Sequence, residues 1–309
     1  MKLSIVATLY KSAPYITEFH NRASASAKQI AGEDYEIVLV NDGSPDNSLE
    51  NAVQLSLKDS HVVVVDLSRN FGHHKAMMTG LTHSKGQLVM LIDSDLEEEP
   101  EWLNYFATQL DEQRCDVVYG VQERRKGGWV ERWSGEWFYI LFKLLTGLAL
   151  PENMVTARLM TRRYVESLLG HEEREVFMAG LWHITGFDQR PRTVKKHSTS
   201  ETTYTLRKKM SLLVNSVTSF SNAPLAGIFY IGVAISTFSI LYISYLAIQW
   251  LFLAKPLSGW TSVMASIWLI GGMIISFIGV VGIYLSKIFS ETKKRPYTIV
   301  RQIYATNKN

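Results

Sequence analysis

Six carboxylates fall within nine consecutive positions of this sequence, between residues 93 and 101. The stretch reads DSDLEEEPE and follows QLVML, an apolar run typical of a buried strand. Glu98 and the glutamates after it are explained by the first turn of a helix, where the helix dipole favours acidic side chains. Asp93 and Asp95 lie at the strand end itself, where two carboxylates repel each other unless a cation or water lies among them.

The Asp-Ser-Asp triplet is a candidate for binding phosphate through a metal ion. The sequence has no GxGxxG after its first apolar run and no GxxxxGK[ST], so two common phosphate-binding loops are absent. A divalent cation that bridges Asp carboxylates to a diphosphate is another solution. Because side chains alternate along a strand, residues 93 and 95 are separated by one position and can reach one ion where the strand bends.

The elements that must position these residues are predicted from apolar periodicity. Apolar, β-branched runs predict strands at 3–10, 36–42, 61–67, 87–93 and 116–121, and helices are predicted at about 14–31, 46–58, 72–84 and 99–113. This alternation indicates an α/β fold with a parallel sheet and helices on both faces. Ligands of such sheets bind beyond the carboxyl ends of the strands. Tyr10, Asp42, Asp93 and Asp95 lie at those ends, so we expect them to converge on one crevice.

Two long uncharged runs follow the α/β part of the chain. Residues 225–254 and 257–286 contain no charged residue, and only Lys255 and Pro256 separate them. A helix of about 30 residues spans about 45 Å, which exceeds a bilayer core of about 30 Å. The pattern predicts a transmembrane hairpin at 225–288. The alternative is a soluble helical core, which two consecutive uncharged runs argue against.

The distribution of basic residues predicts how the hairpin is oriented. Arg207 and two lysines precede the first run, Lys287, Lys293, Lys294, Arg295 and Arg301 lie after the second, and the turn carries one Lys. The positive-inside rule therefore predicts that both ends are cytoplasmic. The first residues, MKLSIVATLY, are too strand-like for a signal peptide. The net charge of +3 says little about partners, and the single Cys115 excludes an intrachain disulfide or a Cys-based zinc site.

Two further segments have the character of membrane-surface helices. Residues 130–150 are apolar and aromatic but carry Glu136 and Lys143, which predicts an interfacial helix with Trp anchors; a buried core helix is the alternative. Residues 206–224 predict a juxtamembrane amphipathic helix. The predicted organisation is a cytoplasmic domain at 1–205, this juxtamembrane helix, the hairpin and a basic tail at 289–309.

Seven motifs carry a resemblance to a known family: IVATLY (5–10), VNDGSPDNS (40–48), LSRNFGHHKAMMTGL (67–81), LIDSDLEEEPE (91–101), YGVQERRKG (119–127), ARLMTRRYVESLL (157–169) and TSFSNAPL (218–225). In these motifs and their order the chain resembles the family 2 inverting glycosyltransferases, which have the GT-A fold. Within that family it is similar to the polyprenyl-phosphate glycosyltransferases, the group of dolichol-phosphate mannose synthase and the bactoprenol glucosyltransferases. The similarity spans most of the chain, including both uncharged runs.

The resemblance implies a reaction and a location. The donor is expected to be a nucleotide-sugar, with UDP as the first expectation for the nucleotide, and the acceptor is expected to be polyprenyl (undecaprenyl) phosphate. The product would be a polyprenyl-phosphate sugar used in cell-envelope glycan assembly or modification. The family also implies the bacterial inner membrane as the location, contact with membrane lipids, and a homo-oligomer, specifically a tetramer. No feature of the sequence predicts nucleic-acid binding.

The resemblance assigns roles to residues of the crevice. It implies Mg²⁺ or Mn²⁺ held mainly by Asp95, with Asp93 on the ribose or metal side and Glu97 as a third metal-side group, standing where the family has Gln. It implies a nucleotide-pocket wall at Thr8 and Tyr10. It also implies a contact between Asp42 and the base or ribose, although NDGS is equally a turn formula.

Basic residues are expected to hold phosphates. Arg125 and Arg158 match family arginines and would steady the leaving diphosphate, because guanidinium groups bind phosphate bidentately; ordinary surface charges are the alternative. The basic segment 190–209 is predicted to be a loop that closes on the donor and acceptor phosphates and supplies candidates for binding them; general attraction to anionic lipids is the alternative for it. Those candidates are Lys195, Lys196, His197 and Arg207. His73 and His74 are interpreted as packing or polar residues.

Departures from the family pattern leave other functions open. The PxYNE-like start is replaced by residues 8–12, TLYKS, and the Asp of the family's GDFRL is Thr156. A base at this position is thereby in doubt, but a lipid phosphate is already ionised near pH 7 and needs little deprotonation. One alternative is a glycan-extending synthase, which usually carries QxxRW; residues 129–133, WVERW, lack the Gln. The other is a non-catalytic membrane scaffold on a degenerate transferase.

Overall fold

The computed structural model describes residues 1–122, 140–148, 151, 153–174, 176–196, 214, 217–252 and 259–306. The chain divides into two compact units. Unit 1 comprises Met1–Tyr139, Ala149–Tyr204 and Arg295–Asn309, and unit 2 comprises Ile140–Leu148 and Thr205–Lys294. Arg125, His197 and Arg207 lie outside the described residues.

Unit 1 is built on one mixed sheet. Its strands in the described residues are β1 (Leu3–Leu9), β2 (Tyr35–Asn41), β3 (Val62–Leu67), β4 (Leu88–Asp93), β5 (Val117–Gln122), β6 (Met154–Thr161), β7 (Gln189–Val194) and β8 (Val300–Ala305). Their order across the sheet is β7-β5-β6-β4-β1-β2-β3-β8. The pairs β1/β2, β1/β4, β2/β3 and β5/β7 are parallel. The pairs β3/β8, β4/β6 and β5/β6 are antiparallel.

Helices cover both faces of this sheet. In unit 1 they are α1 (Ile16–Ala31), α2 (Ser48–Lys58), α3 (His73–His83), α4 (Trp102–Gln113), α5 (Arg162–Leu169) and α6 (Met178–Ile184). Ile5 of β1 belongs to the apolar core that contains Phe19 of α1. The next residue, Val6, faces α3, where a Cβ added to Gly80 would lie 2.4 Å from the Val6 side chain. Because neighbouring strand residues face opposite sides, β1 is buried on both faces, as its apolar run predicts.

The predicted strands and helices up to residue 122 are confirmed, with boundaries shifted by a few residues at most. β6 to β8 were not predicted. β7 lies within the basic segment that was expected to be a loop, and β8 lies within the predicted basic tail. Both are edge strands of the sheet, and most of their residues are exposed. Edge strands commonly carry charge, so apolar periodicity does not reveal them.

β8 is fixed to unit 1 by side chains as well as by strand pairing. The backbone N–H of Ser68 donates to Ile299 O over 2.9 Å. Arg301 donates to Ser68 O over 2.7 Å and lies 3.4 Å from the buried carboxylate of Asp66. The hydroxyls of Thr298 and Thr79 are 2.7 Å apart, which connects this segment to α3. The last residues described are therefore part of the α/β unit.

Unit 2 contains two long apolar helices, α7 (Ala223–Phe252) and α8 (Trp260–Thr292). By length and composition, Ala223–Tyr242 and Leu269–Thr292 could each cross a membrane, with mean hydropathy of 1.8 and 2.2. Large apolar side chains on them are exposed, for example Phe238 at 79% and Ile275 at 73%. Such continuous exposed apolar surface is unusual for a soluble monomer and typical of an interaction or membrane surface.

The described part of the predicted interfacial helix also belongs to unit 2. Residues 140–146 are helical, with Ile140 and Leu144 exposed at 61% and 76% while Phe142 is fully buried. Residues 130–139 and 149–150 lie outside the described residues. Within unit 2, Tyr284 donates its hydroxyl to Ser221 O over 2.6 Å, and Lys287 donates to Ser219 Oγ over 2.7 Å. These bonds join α8 to the segment that precedes α7.

Candidate active site

Three adjacent parallel strands bring their carboxyl ends together. Thr8 near the end of β1 is paired in register with Asp93, the last residue of β4. On the other side, the backbone N–H of Asp42, which follows β2, donates to Leu9 O over 3.1 Å. Tyr10 lies just beyond β1 and is half exposed. The expected convergence of these residues on one end of the sheet is confirmed.

A buried serine fixes the acidic triplet to the end of β1. Ser94 Oγ donates to Thr8 O over 2.7 Å and lies 3.1 Å from Ser12 Oγ, within hydrogen-bond distance. Ser94 is 3% exposed and Ser12 is 5% exposed, so this link is shielded from water. Ser12 occupies the position of the family Glu, and here it is a structural partner of the acidic segment.

Asp42 and Gly43 join two of the sequence motifs. Both carboxylate oxygens of Asp42 accept backbone N–H groups, from Phe71 over 2.7 Å and from Gly72 over 3.0 Å. Gly43 has φ of 60°, and a Cβ there would lie 2.4 Å from the backbone N of Asn70. Burial raises the pKa of Asp42, although the two N–H donors oppose the rise. The structure shows Asp42 holding the loop before α3, and its contact with a nucleotide stays a prediction.

His73, which was interpreted as a packing or polar residue, belongs to this site. It is the first residue of α3, and its Nδ1 is 3.0 Å from the hydroxyl of Thr8. Its Nε2 is 3.2 Å from Asp93 Oδ1, and the side chain is about half exposed. Burial lowers the pKa of His73, but the Asp93 carboxylate more than offsets this and the pKa is raised overall. His74 instead contacts Val176 O.

The two aspartates differ in their surroundings. Asp93 Oδ1 is buried and has no aligned hydrogen bond with the described residues, despite its proximity to His73. The pKa of Asp93 is lowered, because His73 and Lys196 favour the charged form more than burial disfavours it. Asp95 Oδ1 accepts the N–H of Glu97 over 3.0 Å. Burial, Asp93 and Glu97 raise the pKa of Asp95, so an added cation would relieve this repulsion.

Glu98 is buried inside this site, which corrects its predicted place in an exposed helical turn. It is fully inaccessible, and its oxygens accept the N–H groups of Thr156 over 2.9 Å and Asp93 over 3.4 Å. Leu96 has φ of 61°, a left-handed conformation that reverses the chain after Asp95. Burial raises the pKa of Glu98 to about 8, although Lys196 opposes the rise.

The predicted three-carboxylate metal set is not formed. Within the described ranges, no group of three His, Cys, Asp or Glu side chains is arranged to hold a metal ion. Glu97 lies 3.3 Å from the ammonium of Lys196 instead. Asp93 and Asp95 nevertheless fit a shared cation, because Oδ1 of Asp93 has no hydrogen bond with the described residues beyond its 3.2 Å ion pair with His73. Mg²⁺ typically takes one or two carboxylates plus substrate phosphates, so two aspartates and a diphosphate are a suitable set.

Arg158 lies in the interior, which differs from its predicted place at the diphosphate. It is fully buried on β6 and stacks on the ring of Trp182. Its Nε donates to Thr156 O over 3.3 Å, and Nη1 and Nη2 make no aligned hydrogen bond with the described residues. Burial lowers its pKa to about 9. Two of the basic phosphate candidates are described: Lys195 is exposed and Lys196 is half buried.

The fold and the aspartates at the carboxyl end of its sheet define a GT-A-type transferase domain. A sequence model described as glycosyl transferase family 2 matches residues 4–169. The chain belongs to that family. It is also 18% identical to a solved structure described as a mycobacterial protein, with a TM-score of 0.50 and coverage of 71% of this chain and 74% of that one.

Two relatives match the chain along its whole length. One is a protein of Mycobacterium tuberculosis (strain CDC 1551 / Oshkosh) described as "Putative glycosyltransferases", 52% identical over 99% of this chain and 90% of the relative. The other is the SfII prophage-derived bactoprenol glucosyl transferase of Shigella flexneri, 30% identical over 99% of this chain and 100% of the relative. The resemblance found in the motifs is confirmed at full length.

Proposed function

We propose that this enzyme transfers a sugar from a nucleotide-sugar, with UDP as the first expectation, to polyprenyl phosphate with inversion. The observation that carries the proposal is the placement of Asp93 and Asp95 at the carboxyl end of the sheet, where one buried Asp93 oxygen has no hydrogen bond with the described residues beyond its ion pair with His73. The full-length similarity to a bactoprenol glucosyl transferase supports a polyprenyl-phosphate acceptor. The product would be a polyprenyl-phosphate sugar.

The donor would lie across the ends of β1, β2 and β4. Asp93 and Asp95 would hold Mg²⁺ or Mn²⁺ together with the diphosphate, and the cation would supply positive charge to the leaving group. Thr8 and Tyr10 would line the nucleotide pocket. Asp42 would support that pocket through the loop that it holds in place.

The acceptor requires little help from a base. A phosphate monoester has its second pKa near 6, so its oxygen is largely ionised at pH 7. That oxygen attacks the anomeric carbon while the bond from this carbon to the diphosphate oxygen breaks and releases the nucleoside diphosphate. Thr156, at the position of the family Asp, is compatible with this route, since no proton must be removed. An Asp there would add a further carboxylate beside Glu98.

The connectivity of the chain supports a cytoplasmic catalytic unit. α7 and α8 are inserted between two parts of unit 1, and β8 returns to the sheet after α8. Two membrane crossings return a chain to the side from which it started. With the positive-inside rule, this supports a two-span protein of the bacterial inner membrane with both ends in the cytoplasm. The family resemblance supports a tetramer, and native mass spectrometry in mild detergent would test it.

A transfer assay tests the proposed function. We would incubate the purified protein with undecaprenyl phosphate, Mg²⁺ or Mn²⁺ and a panel of nucleotide-sugars, and detect the glycolipid by mass spectrometry. We expect one donor to yield a lipid-linked sugar, and Asp95→Asn to reduce transfer by a factor of about 100 or more, because the variant loses a charge that offsets the leaving group.

Asp111→Asn is the matched control, because Asp111 is exposed on α4. It should leave transfer unchanged. Full activity of Asp95→Asn would disprove the metal role. Donor binding without a lipid product from any donor would instead favour a different acceptor or a non-catalytic protein.

A further inference from the structure

Lys196 lies among the carboxylates that are proposed to bind the donor. It lies two residues beyond the end of β7, and its Nζ is 3.3 Å from Glu97 Oε2 and 3.6 Å from Glu98 Oε1. Its side chain is 21% exposed, and the Glu98 side chain is fully buried. This ammonium is therefore enclosed by the acidic segment rather than presented to solvent.

The charges around Lys196 explain its location. The acidic segment places four carboxyl groups, those of residues 93, 95, 97 and 98, around one end of the sheet, and burial favours the neutral form of Glu98. Like charges at such distances destabilise one another, and the effect grows where water is partly excluded. Burial alone would lower the pKa of Lys196, but these four carboxylates raise it, with Glu98 and Asp93 contributing most. Lys196 thus remains charged and offsets their repulsion.

We propose that Lys196 is the resident counter-cation of the acidic segment and that its charge competes with the divalent cation for this site. The inference rests on the cation of the proposed function and deepens it. Lys196 keeps Glu97 away from the metal, so that the cation is held by Asp93 and Asp95 and completes its ligands with the diphosphate. Weak binding of the bare cation follows, and the cation then binds mainly together with the nucleotide-sugar.

The test is Mn²⁺ binding by the full-length protein in detergent, without donor or acceptor, measured from the electron paramagnetic resonance signal of free Mn²⁺. Lys196→Met removes the ammonium and keeps the apolar stem. We expect Mn²⁺ to bind about tenfold more tightly to this variant, because a unit positive charge beside the acidic segment is lost. Lys196→Arg should stay within about twofold of wild type.

The control is Lys195→Met, which makes the same change in net charge one residue away on an exposed side chain. It should change Mn²⁺ affinity by less than about threefold. The proposal is overturned by unchanged or weaker Mn²⁺ binding in Lys196→Met, by an equal gain in Lys195→Met, or by no Mn²⁺ binding in any of these proteins.

A second variant tests the proposal if Lys196→Met does not fold. Glu97→Gln removes a carboxylate that is held by Lys196 and is not a proposed ligand, so it should weaken Mn²⁺ binding by a smaller factor than loss of a metal ligand does. Asp95→Asn provides the reference for such a loss. Wild-type transfer with no response of Mn²⁺ binding to Lys196 would refute this inference alone, and absence of transfer would refute the proposed function.

Discussion

At the scale of single residues, His73 has the clearest positioning geometry in the site. One ring nitrogen is 3.0 Å from the Thr8 hydroxyl and the other is 3.2 Å from the Asp93 carboxylate. Because β1 and β4 pair Thr8 with Asp93, the imidazole spans two adjacent strand ends from the start of α3. With both nitrogens directed at protein groups, the ring is suited to holding Asp93 in place rather than to transferring a proton.

Substitution of His73 tests this positioning role. Gln can place an amide nitrogen where Nε2 lies and keep the Asp93 contact, whereas Asn is short enough to replace only Nδ1. We expect His73→Ala to lower kcat/KM for the nucleotide-sugar by a factor of about ten or more, since a positioned charged group is typically worth 1–3 kcal/mol. His73→Gln should recover most of that loss and His73→Asn should not.

Steady-state kinetics of transfer, with donor and acceptor varied separately, would check this expectation. Equal recovery by Asn and Gln would contradict the Asp93 contact as the important one. A change in the acceptor KM alone would place His73 in a different part of the site.

Some residues of the site could be predicted from the sequence and others could not. Thr8, Asp42, Asp93 and Asp95 follow apolar runs, so the rule about carboxyl ends of parallel strands locates them. His73 and Glu98 were missed because their contacts depend on tertiary geometry. The contacts of His73 form because α3 begins beside the ends of two strands. The burial of Glu98 depends on the left-handed turn at Leu96. A Glu in an acidic run gives no sequence signal for burial.

At the scale of elements, the start of α2 depends on Asp46. Its carboxylate accepts the hydroxyls of Ser44 and Ser48 over 2.5 Å each, and the N–H groups of Ala13 and Ser48 over 3.2 Å. Asn47 precedes the helix directly but makes no side-chain capping bond. Burial would raise the pKa of Asp46, but the hydrogen bonds more than offset this and lower it to about 2.

A pH-dependent loss of stability should follow from this cap. Because the folded pKa of about 2 lies below the unfolded value of 3.8, the stabilising contribution is present above pH 3.8 and is lost as the pH falls toward 2. Asp46→Ala should lower the free energy of unfolding by about 1 kcal/mol at pH 7, as for other helix caps. Thermal unfolding in detergent would show that the difference in stability between wild type and Asp46→Ala becomes smaller below about pH 4.

Asn47→Ala is the matched control and should have little effect at any pH. If the difference in unfolding free energy between wild type and Asp46→Ala stays constant from pH 7 to pH 3, the charge of the carboxylate is not what stabilises α2.

Strands could be predicted from the sequence where both of their faces are buried, because such strands are almost entirely apolar. β1 to β5 and the helices between them follow from long apolar runs and their spacing. β7 and β8 were not predicted, because they are edge strands whose exposed residues include Arg190, Arg192 and Arg301, which interrupt the apolar pattern. Their pairing partners, β5 and β3, lie far away in sequence. The local sequence pattern therefore predicted a loop where β7 lies and a basic tail where β8 lies.

At the scale of the whole molecule, β8 makes the C-terminal segment part of the catalytic unit. Without it, β3 would become an open edge with the apolar sequence VVVVDL, and exposed apolar edges pair with other chains. A chain that ends at residue 294 should therefore aggregate in detergent, whereas one that ends at residue 306 should remain monodisperse and active. Size-exclusion chromatography and the transfer assay would compare the two. Equal behaviour would show that β8 is dispensable.

The position of β8 also sets the order in which this enzyme can be completed during synthesis. Ribosomes make a chain from its first residue onward, so β1 to β7 emerge long before the strand that closes their sheet. Both apolar helices must be made before β8 exists. If the two helices insert into the bilayer as proposed, they do so before β8 is made, and the sheet is completed at the membrane. On the proposed function, finished catalytic units would then accumulate beside the proposed lipid acceptor.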